Sequence, residues 1–213
     1  MPLIFIIAAI SYLLGSIPFG YVLVHLFRGE DVRQSGSGNI GATNVSRKSP
    51  ALGVLTLLLD ALKGTCAVLL ADRVFMRAWP GNIDVSLFPL LSVVALCAIL
   101  GHMFPVWLRF RGGKGVATSV GAFALLVPRA TLGAFAIFMV VAFASRYVSL
   151  ASIIAAASLP ILAWFSLRHQ NDQELFMVLP IAIASALVIV KHRENIRRLL
   201  AGTENRFGSR GAK

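Results

Sequence analysis

A chain of 213 residues that is 57% hydrophobic and only 14% charged, with a mean hydropathy of +0.80, falls outside the composition of soluble domains and reads as a membrane-integral protein. No polar block is long enough to fold by itself, so residues 1–213 are expected to form one unit. The formal charge of +11 would suit an anionic partner, but in a polytopic membrane protein it first reports orientation, and no nucleic-acid partner is inferred.

The opening run MPLIFIIAAISYLLGSIPFGYVLVHLF has no basic residue before Arg28 and is long for the apolar part of a signal peptide, so it reads as a first span. Further apolar segments follow at 51–71, 86–108, 115–127, 130–145, 148–167 and 175–190. Each is expected to be helical, because a lipid-exposed span must satisfy its backbone hydrogen bonds internally. The expected fold is therefore an all-α membrane protein with seven transmembrane helices. With the N-terminus outside, fifteen of the 20 Lys and Arg fall on the inner side, four (Arg73, Arg77, Arg129, Arg168) fall outside, and Lys63 lies within a span. The positive-inside rule then predicts a cytoplasmic C-terminus.

The fourth segment is unusual: Val116–Val127, closed by Pro128, would be only about 20 Å long as a helix against a hydrocarbon core of roughly 30 Å. Short helices of this kind place polar backbone at membrane depth around binding cavities. Arg73–Asp84, with Trp79, Pro80 and Gly81, reads as an external loop. Cys66 and Cys97 lie in apolar runs and are read as reduced packing residues, while His25, His102 and His169 have no partner set that would make a metal site.

Three polar stretches fall on the predicted cytoplasmic side. In SGSGNIGATNVSR, residues 35–47, glycines alternate with Ser37, Asn39, Thr43 and Asn44 and the run ends in Arg47. Backbone N–H groups and small donors in that pattern can wrap an anion, whereas the bland reading is a connector. In RGGKGV, residues 111–116, Gly112, Gly113 and Gly115 surround Lys114 just before the short fourth segment. This is no Walker loop, since Gly115 stands where Ser or Thr would follow the lysine. Even so, glycines that allow close backbone approach, a point charge and a helix N-terminus together suit a phosphate. In KHRENIRRLLAGTENRFGSR, from Lys191, the spacing of Ile196, Leu199 and Leu200 predicts an amphipathic continuation of the last span, with Arg197 and Arg198 as anchors to membrane lipids. His192 and Asn195 share a helical face, and Glu204 is a candidate partner for one of the arginines. Within the second segment, Asp60 and Lys63 are spaced to pair with each other, which is read as structural.

Together SGSGNIGATNVSR, GHMFPVWLRFRGGKGVAT and KHRENIRRLLAGTE resemble the three signature motifs of the bacterial membrane-integral acyl-phosphate:glycerol-3-phosphate acyltransferases. The similarity extends over nearly the whole chain, including LLGSIPFGYV and DALKG. It implies a seven-helix inner-membrane enzyme, its active site facing the cytoplasm, that moves a fatty acyl group from acyl phosphate to the 1-position hydroxyl of glycerol 3-phosphate. The products would be lysophosphatidic acid and inorganic phosphate, in the first acylation of phospholipid biosynthesis.

By position, the resemblance makes Ser37, with Ser35 as the alternative, and Arg47 catalytic. It gives Gly112, Gly113 and Gly115 to the glycerol 3-phosphate site with Lys114, makes His192 and Asn195 active-site residues, and makes Glu204 structural. Ser35, Asn39, Thr43 and Asn44 complete the expected substrate-binding set. Relatives that use thioesters would be expected to carry His-x4-Asp as a base, and no histidine here is followed by aspartate at that spacing. Acyl phosphate is already activated, so the catalyst mainly has to hold two anions in attack geometry, with no protein nucleophile, metal or cofactor. A transporter for phosphorylated solutes is the rival reading, but it would also need polar residues toward the outer half, and the external loops supply few.

Lys114→Ala is expected to weaken both glycerol 3-phosphate binding and turnover in a phosphate-release assay. Arg210→Ala, in the C-terminal tail, should leave both near the wild-type level, and equal effects would contradict the site.

Overall fold

In the computed structural model the described residues are 2–78, 87–168, 174–206 and 208. Trp79, Pro80, Gly81 and Asp84 of the expected external loop, His169 and Arg210 lie outside them. Among the described residues every regular element is helical, and the chain divides into two compact units, Met1–Leu126 and Val127–Lys213.

In the first unit, α1 (Pro2–Gly15) and α2 (Phe19–Arg28) make one apolar stretch of 27 residues, broken ahead of Pro18. Proline has no N–H to continue the helical ladder, and its ring crowds the preceding turn. At the break the Ile17 carbonyl accepts the Phe19 N–H at 3.1 Å and a second hydrogen bond from Lys63 Nζ at 2.8 Å. A loop carrying the short α3 (Ala42–Lys48) leads to α4 (Pro50–Ala78), then come α5 (Leu87–Met103) and α6 (Val116–Leu126). Helix α4 outruns its apolar segment, so Arg73 and Arg77 lie on a helix and not in the external loop assigned from sequence. Nothing between Ala71 and Ala78 breaks a helix, and the polarity of the arginines alone does not end one.

The helices of this unit approach closely through small residues, the usual device where apolar tails offer no hydrophobic drive between helices. A side chain at Gly121 of α6 would collide with the Ala61 carbonyl of α4, and one at Gly15 of α1 with the Ala98 carbonyl of α5. Thr65 Oγ1 donates to Gly121 O at 2.9 Å and Tyr12 donates its hydroxyl to Phe104 O at 2.6 Å, fixing the same two contacts.

The second unit contains α7 (Pro128–Ser145), α8 (Val148–Leu167), α9 (Glu174–Lys191) and α10 (Arg193–Leu200). Proline at the first position opens α7, and Arg146 in the left-handed region ends it with its N–H on Ala142 O. At His192 the chain bends by 53° between α9 and α10. Helix α10 is strongly amphipathic, which is why it departs from the apolar path of α9.

Among the described residues each apolar segment read from the sequence lies mainly on helix, the first on two, α1 and α2. Five stretches among the described residues are long and apolar enough to cross a membrane, or up to six if the bent pair of α9 and α10 is one span. Helix α6, with 11 residues, is shorter than these, at about 16 Å by the helical rise.

Candidate active site

The loop between α2 and α4 is built around one buried side chain. Asn44, 3% exposed, donates through Nδ2 to the carbonyls of Val32 (3.0 Å), Ser35 (3.1 Å) and Asn39 (2.8 Å) and accepts the Ser37 N–H on Oδ1 at 2.9 Å. Its amide is thus spent on the backbone of its own loop. Gly36 and Gly38, both at positive φ, provide the turns that bring those carbonyls round to it. Asn39 Oδ1 accepts the N–H of Gly41, the residue ahead of α3, at 2.7 Å.

The base of the loop is tied by Glu30, which pairs with Lys48 at 2.6 Å and Arg28 at 3.2 Å. Hydrogen bonds from Lys48 and Arg28 hold the Glu30 carboxyl below its usual range. Underneath, Val32, Ile40 and Val45 pack with Val24 of α2 and with Leu108, which belongs to the next motif.

This folding exposes the candidate residues selectively. Ser35 turns its hydroxyl to Val32 O at 3.3 Å, whereas Ser37 and Thr43 are exposed. The exposed Arg47 lies back over Gly36, its Nη1 3.1 Å and its Cδ 3.4 Å from where a Gly36 Cβ would be. The structure therefore brings Ser37, Asn44 and Arg47 together.

The glycine motif is a turn folded onto the end of α5. After a 3-10 turn at Val106–Leu108, Arg109 and Phe110 both take positive φ, held by Phe110 N–H on Pro105 O at 3.0 Å and Arg111 N–H on Leu108 O at 3.1 Å. Gly112 N–H then donates to Met103 O (3.3 Å) and Gly113 N–H to His102 O (3.0 Å), so both amides are engaged inside the turn. A side chain at Gly112 would strike Pro105 and the His102 carbonyl, and one at Gly113 the His102 imidazole. Gly115, at φ +84, makes the left-handed step into α6, whose first turn begins beside Lys114.

Below the turn lies a buried polar cluster. Asp60 Oδ1 is 2.8 Å from Lys63 Nζ and 3.5 Å from His102 Nδ1, and the three side chains are 2%, 3% and 4% exposed. The short separation is an ion pair; the longer one is an electrostatic contact beyond good hydrogen-bond length. Spacing on one helix placed Asp60 with Lys63, but His102 comes from α5 and joins them only in the fold. Its legible signal was an ionisable residue at the end of a span.

In the second unit, His192 stands at the bend, 3% exposed, with Nδ1 2.8 Å from Val188 O. A carbonyl only accepts, so Nδ1 carries the proton, and in the neutral ring Nε2 is then the acceptor nitrogen. Asn195 donates to Glu204 Oε1 at 2.7 Å, Ser149 donates to the same oxygen at 2.8 Å, and Arg198 pairs with Oε2 at 2.6 Å. Glu204 thus joins α8, α10 and the C-terminal segment, and Arg206 adds a hydrogen bond to the Tyr147 hydroxyl at 3.0 Å. Burial pushes the Glu204 carboxyl up, but hydrogen bonds from Asn195, Ser149 and Arg198 outweigh it and hold it below its usual value. Ser149 had no signal in the sequence beyond its place at the start of a span.

The family model for glycerol-3-phosphate acyltransferase matches residues 5–202. The chain is 47% identical to a glycerol-3-phosphate acyltransferase of Syntrophotalea carbinolica over 95% of its own length and 97% of the relative's. It is 46% identical to that of Nitrobacter winogradskyi, over 95% of each. Among solved structures it is similar to PlsY (YgiH), an integral membrane glycerol 3-phosphate acyltransferase, in its glycerol 3-phosphate form, with TM-score 0.83 and 41% identity over 97% of this chain and 96% of that one. The lysophosphatidic acid form of that protein gives TM-score 0.81 and 38% identity over the same shares.

Glu204 makes the second unit's geometry pH-dependent in a definite direction. Because its folded carboxyl lies below the usual 4.5, its stabilisation is complete above about that pH and is lost as the pH falls toward the folded value. The thermal midpoint in detergent should therefore drop below about pH 4.5. Glu204→Gln, which carries no charge for Arg198, should show a lower midpoint at neutral pH and a smaller drop in acid.

Proposed function

The chain belongs to the glycerol-3-phosphate acyltransferase family, and on that premise we propose that it transfers a fatty acyl group from acyl phosphate to the 1-position hydroxyl of glycerol 3-phosphate. The products are 1-acyl-glycerol 3-phosphate and inorganic phosphate. The observation that carries this reading is the loop that holds Ser37 by its N–H on Asn44 and lays Arg47 over the adjacent Gly36, both side chains exposed, and that shares one apolar cluster with the turn that leads to Lys114. Two phosphate-seeking elements at one end of one unit suit two anionic substrates.

The chemistry requires little beyond placement. The 1-hydroxyl oxygen attacks the acyl carbonyl carbon, the bond from that carbon to the phosphate oxygen breaks, and phosphate leaves with the electron pair. Lys114 and the N-terminus of α6 hold the glycerol 3-phosphate phosphate. Arg47 and the Ser37 hydroxyl balance the charge that develops on the acyl phosphate. Gly112 and Gly113 act through the shape of the turn, since their amides are engaged, and Asn44 acts by holding its loop. Asn39 and Thr43 border the same loop. His192 and Asn195 are the active-site residues that the family resemblance assigns to the second unit, with Glu204 fixing Asn195. The hydroxyl proton passes to a phosphate oxygen of a substrate, which is basic enough near neutrality; His192 is the alternative acceptor.

The whole chain, 1–213, works as one domain in this reading. The seven apolar helices cross the inner membrane with the N-terminus outside and the C-terminus cytoplasmic, α6 only partway, and all three motifs face the cytoplasm. The distribution of Lys and Arg and the 11-residue length of α6 support it. Membrane lipids are the partners of α10, whose Arg197 and Arg198 flank an apolar face.

In detergent, phosphate release from acyl phosphate should depend on added glycerol 3-phosphate; release indifferent to the acceptor would refute the reading. His192→Gln should retain measurable turnover, because a substrate phosphate serves as base. Complete loss of turnover with unchanged affinities would assign the proton to His192 instead.

A further inference from the structure

The acyl transfer proposed above gives no part to the buried cluster of Asp60, Lys63 and His102, whose side chains are 2–4% exposed. Burying even one unpaired charge costs several kcal/mol by general estimates, so the set needs a reason. Half of that reason is the helix break: Lys63 gives the Ile17 carbonyl before Pro18 a second hydrogen bond beside that from Phe19 N–H, and Asp60 neutralises Lys63 at 2.8 Å. That balance is already complete without a third member.

His102 faces the other way as well. Its carbonyl accepts the Gly113 N–H at 3.0 Å, and its imidazole fills the space that a Gly113 side chain would need, with Nε2, Cε1 and Cδ2 as the atoms in the way. Gly113 immediately precedes Lys114. A line of contact thus runs from Asp60 to the His102 ring, from the ring to the backbone of Gly113, and on to the residue that starts α6.

We propose that Asp60, Lys63 and His102 form a positioning unit for Lys114. Asp60 orients the His102 ring, the ring supports the Gly113 backbone, and that support sets where the Lys114 side chain leaves the turn and where α6 begins. None of the three touches substrate, so they are positioning residues. The inference rests on the assignment of Lys114 to the glycerol 3-phosphate phosphate. It accounts for the absence of a side chain at Gly113 by the imidazole beneath it.

The test is a kinetic cycle in detergent at saturating acyl phosphate, using wild type, Asp60→Asn, Lys114→Ala and the double variant. Asp60→Asn should raise the KM for glycerol 3-phosphate by up to about 100-fold, the scale of an ångström-level misplacement, with a much smaller change in the KM for acyl phosphate. Added to Lys114→Ala it should cost nothing beyond about twofold, because coupled sites are not additive. A double variant whose loss is the product of the two single losses, or equal rises in both KM values, would overturn the proposal.

If the unpaired Lys63 of Asp60→Asn prevents folding, Asp60→Asn combined with Lys63→Met removes both charges. In that variant, a wild-type thermal midpoint with a raised glycerol 3-phosphate KM supports the unit. A wild-type midpoint with a wild-type KM overturns it.

A second set keeps the charged pair intact. Gly113→Ala alone should raise the KM, because its methyl meets the imidazole; in a His102→Ala background the same methyl has room and should add no further loss. An undiminished loss in that background would mean that Gly113 is required for something other than the imidazole, and the proposal fails. Lys114→Ala with an unchanged glycerol 3-phosphate KM refutes the site itself, and the positioning unit with it. Impaired Lys114→Ala beside a folded Asp60 and Lys63 variant of wild-type KM refutes only the unit.

Discussion

A peptide group that leaves its helix inside an apolar protein has to find a partner there, because hydrocarbon offers none. Three departures from regular helix in the first unit meet this demand in three ways. At the break before Pro18 the Ile17 carbonyl takes the Phe19 N–H and a lysine from another helix, itself neutralised by Asp60. The loop between α2 and α4 is met by the side-chain amide of Asn44, which engages four backbone groups. The glycine turn is met by the carbonyls at the end of α5. Each unpaired group would cost about 1–3 kcal/mol, so these partners decide which irregular backbone this chain can hold.

The same requirement explains why the polar residues gather where they do. Once Asn44 is committed inward, the exposed members of its loop include Ser37, Thr43 and Arg47. Once Gly112 and Gly113 close on α5, Lys114 follows at the head of α6. Backbone irregularity and displayed chemistry are therefore two faces of one arrangement: the buried side chain freezes the loop and the frozen loop presents its neighbours. For a transfer between two phosphorylated molecules, fixed geometry is the main thing a protein can contribute. The second unit follows the same pattern with a carboxylate. Glu204 collects Ser149, Asn195 and Arg198 around its two oxygens and so holds Asn195 one helical turn from the bend at His192.

Close helix crossing supplies the rigidity behind these loops. Gly15 and Gly121 leave room for the carbonyls of neighbouring helices, and dispersion contacts, not hydrophobic transfer, reward the approach in a membrane. Short α6 is held this way along α4. Its N-terminus keeps a fixed place although it lacks the length of a full span.

Much of this was readable from residues alone, for a physical reason. Helices in lipid satisfy themselves within one segment, so apolar runs and the shortness of α6 follow from local sequence. The amphipathic tail after Lys191 is also local, being a matter of spacing, and the family resemblance lay in three contiguous motifs. What the sequence could not assign was partnership. Lys63 reaches a carbonyl 46 residues away, His102 on α5 meets Asp60 of α4 and Gly113 of the turn, and Ser149 meets Glu204 across 55 residues. Asn44 looked like one more donor in a polar loop, and only the closed loop shows its amide consumed. Local hydrogen bonding and hydropathy determined the helices by themselves. Which buried polar groups satisfy one another depends on distances that exist only after the helices have packed, and that was decided by the tertiary structure.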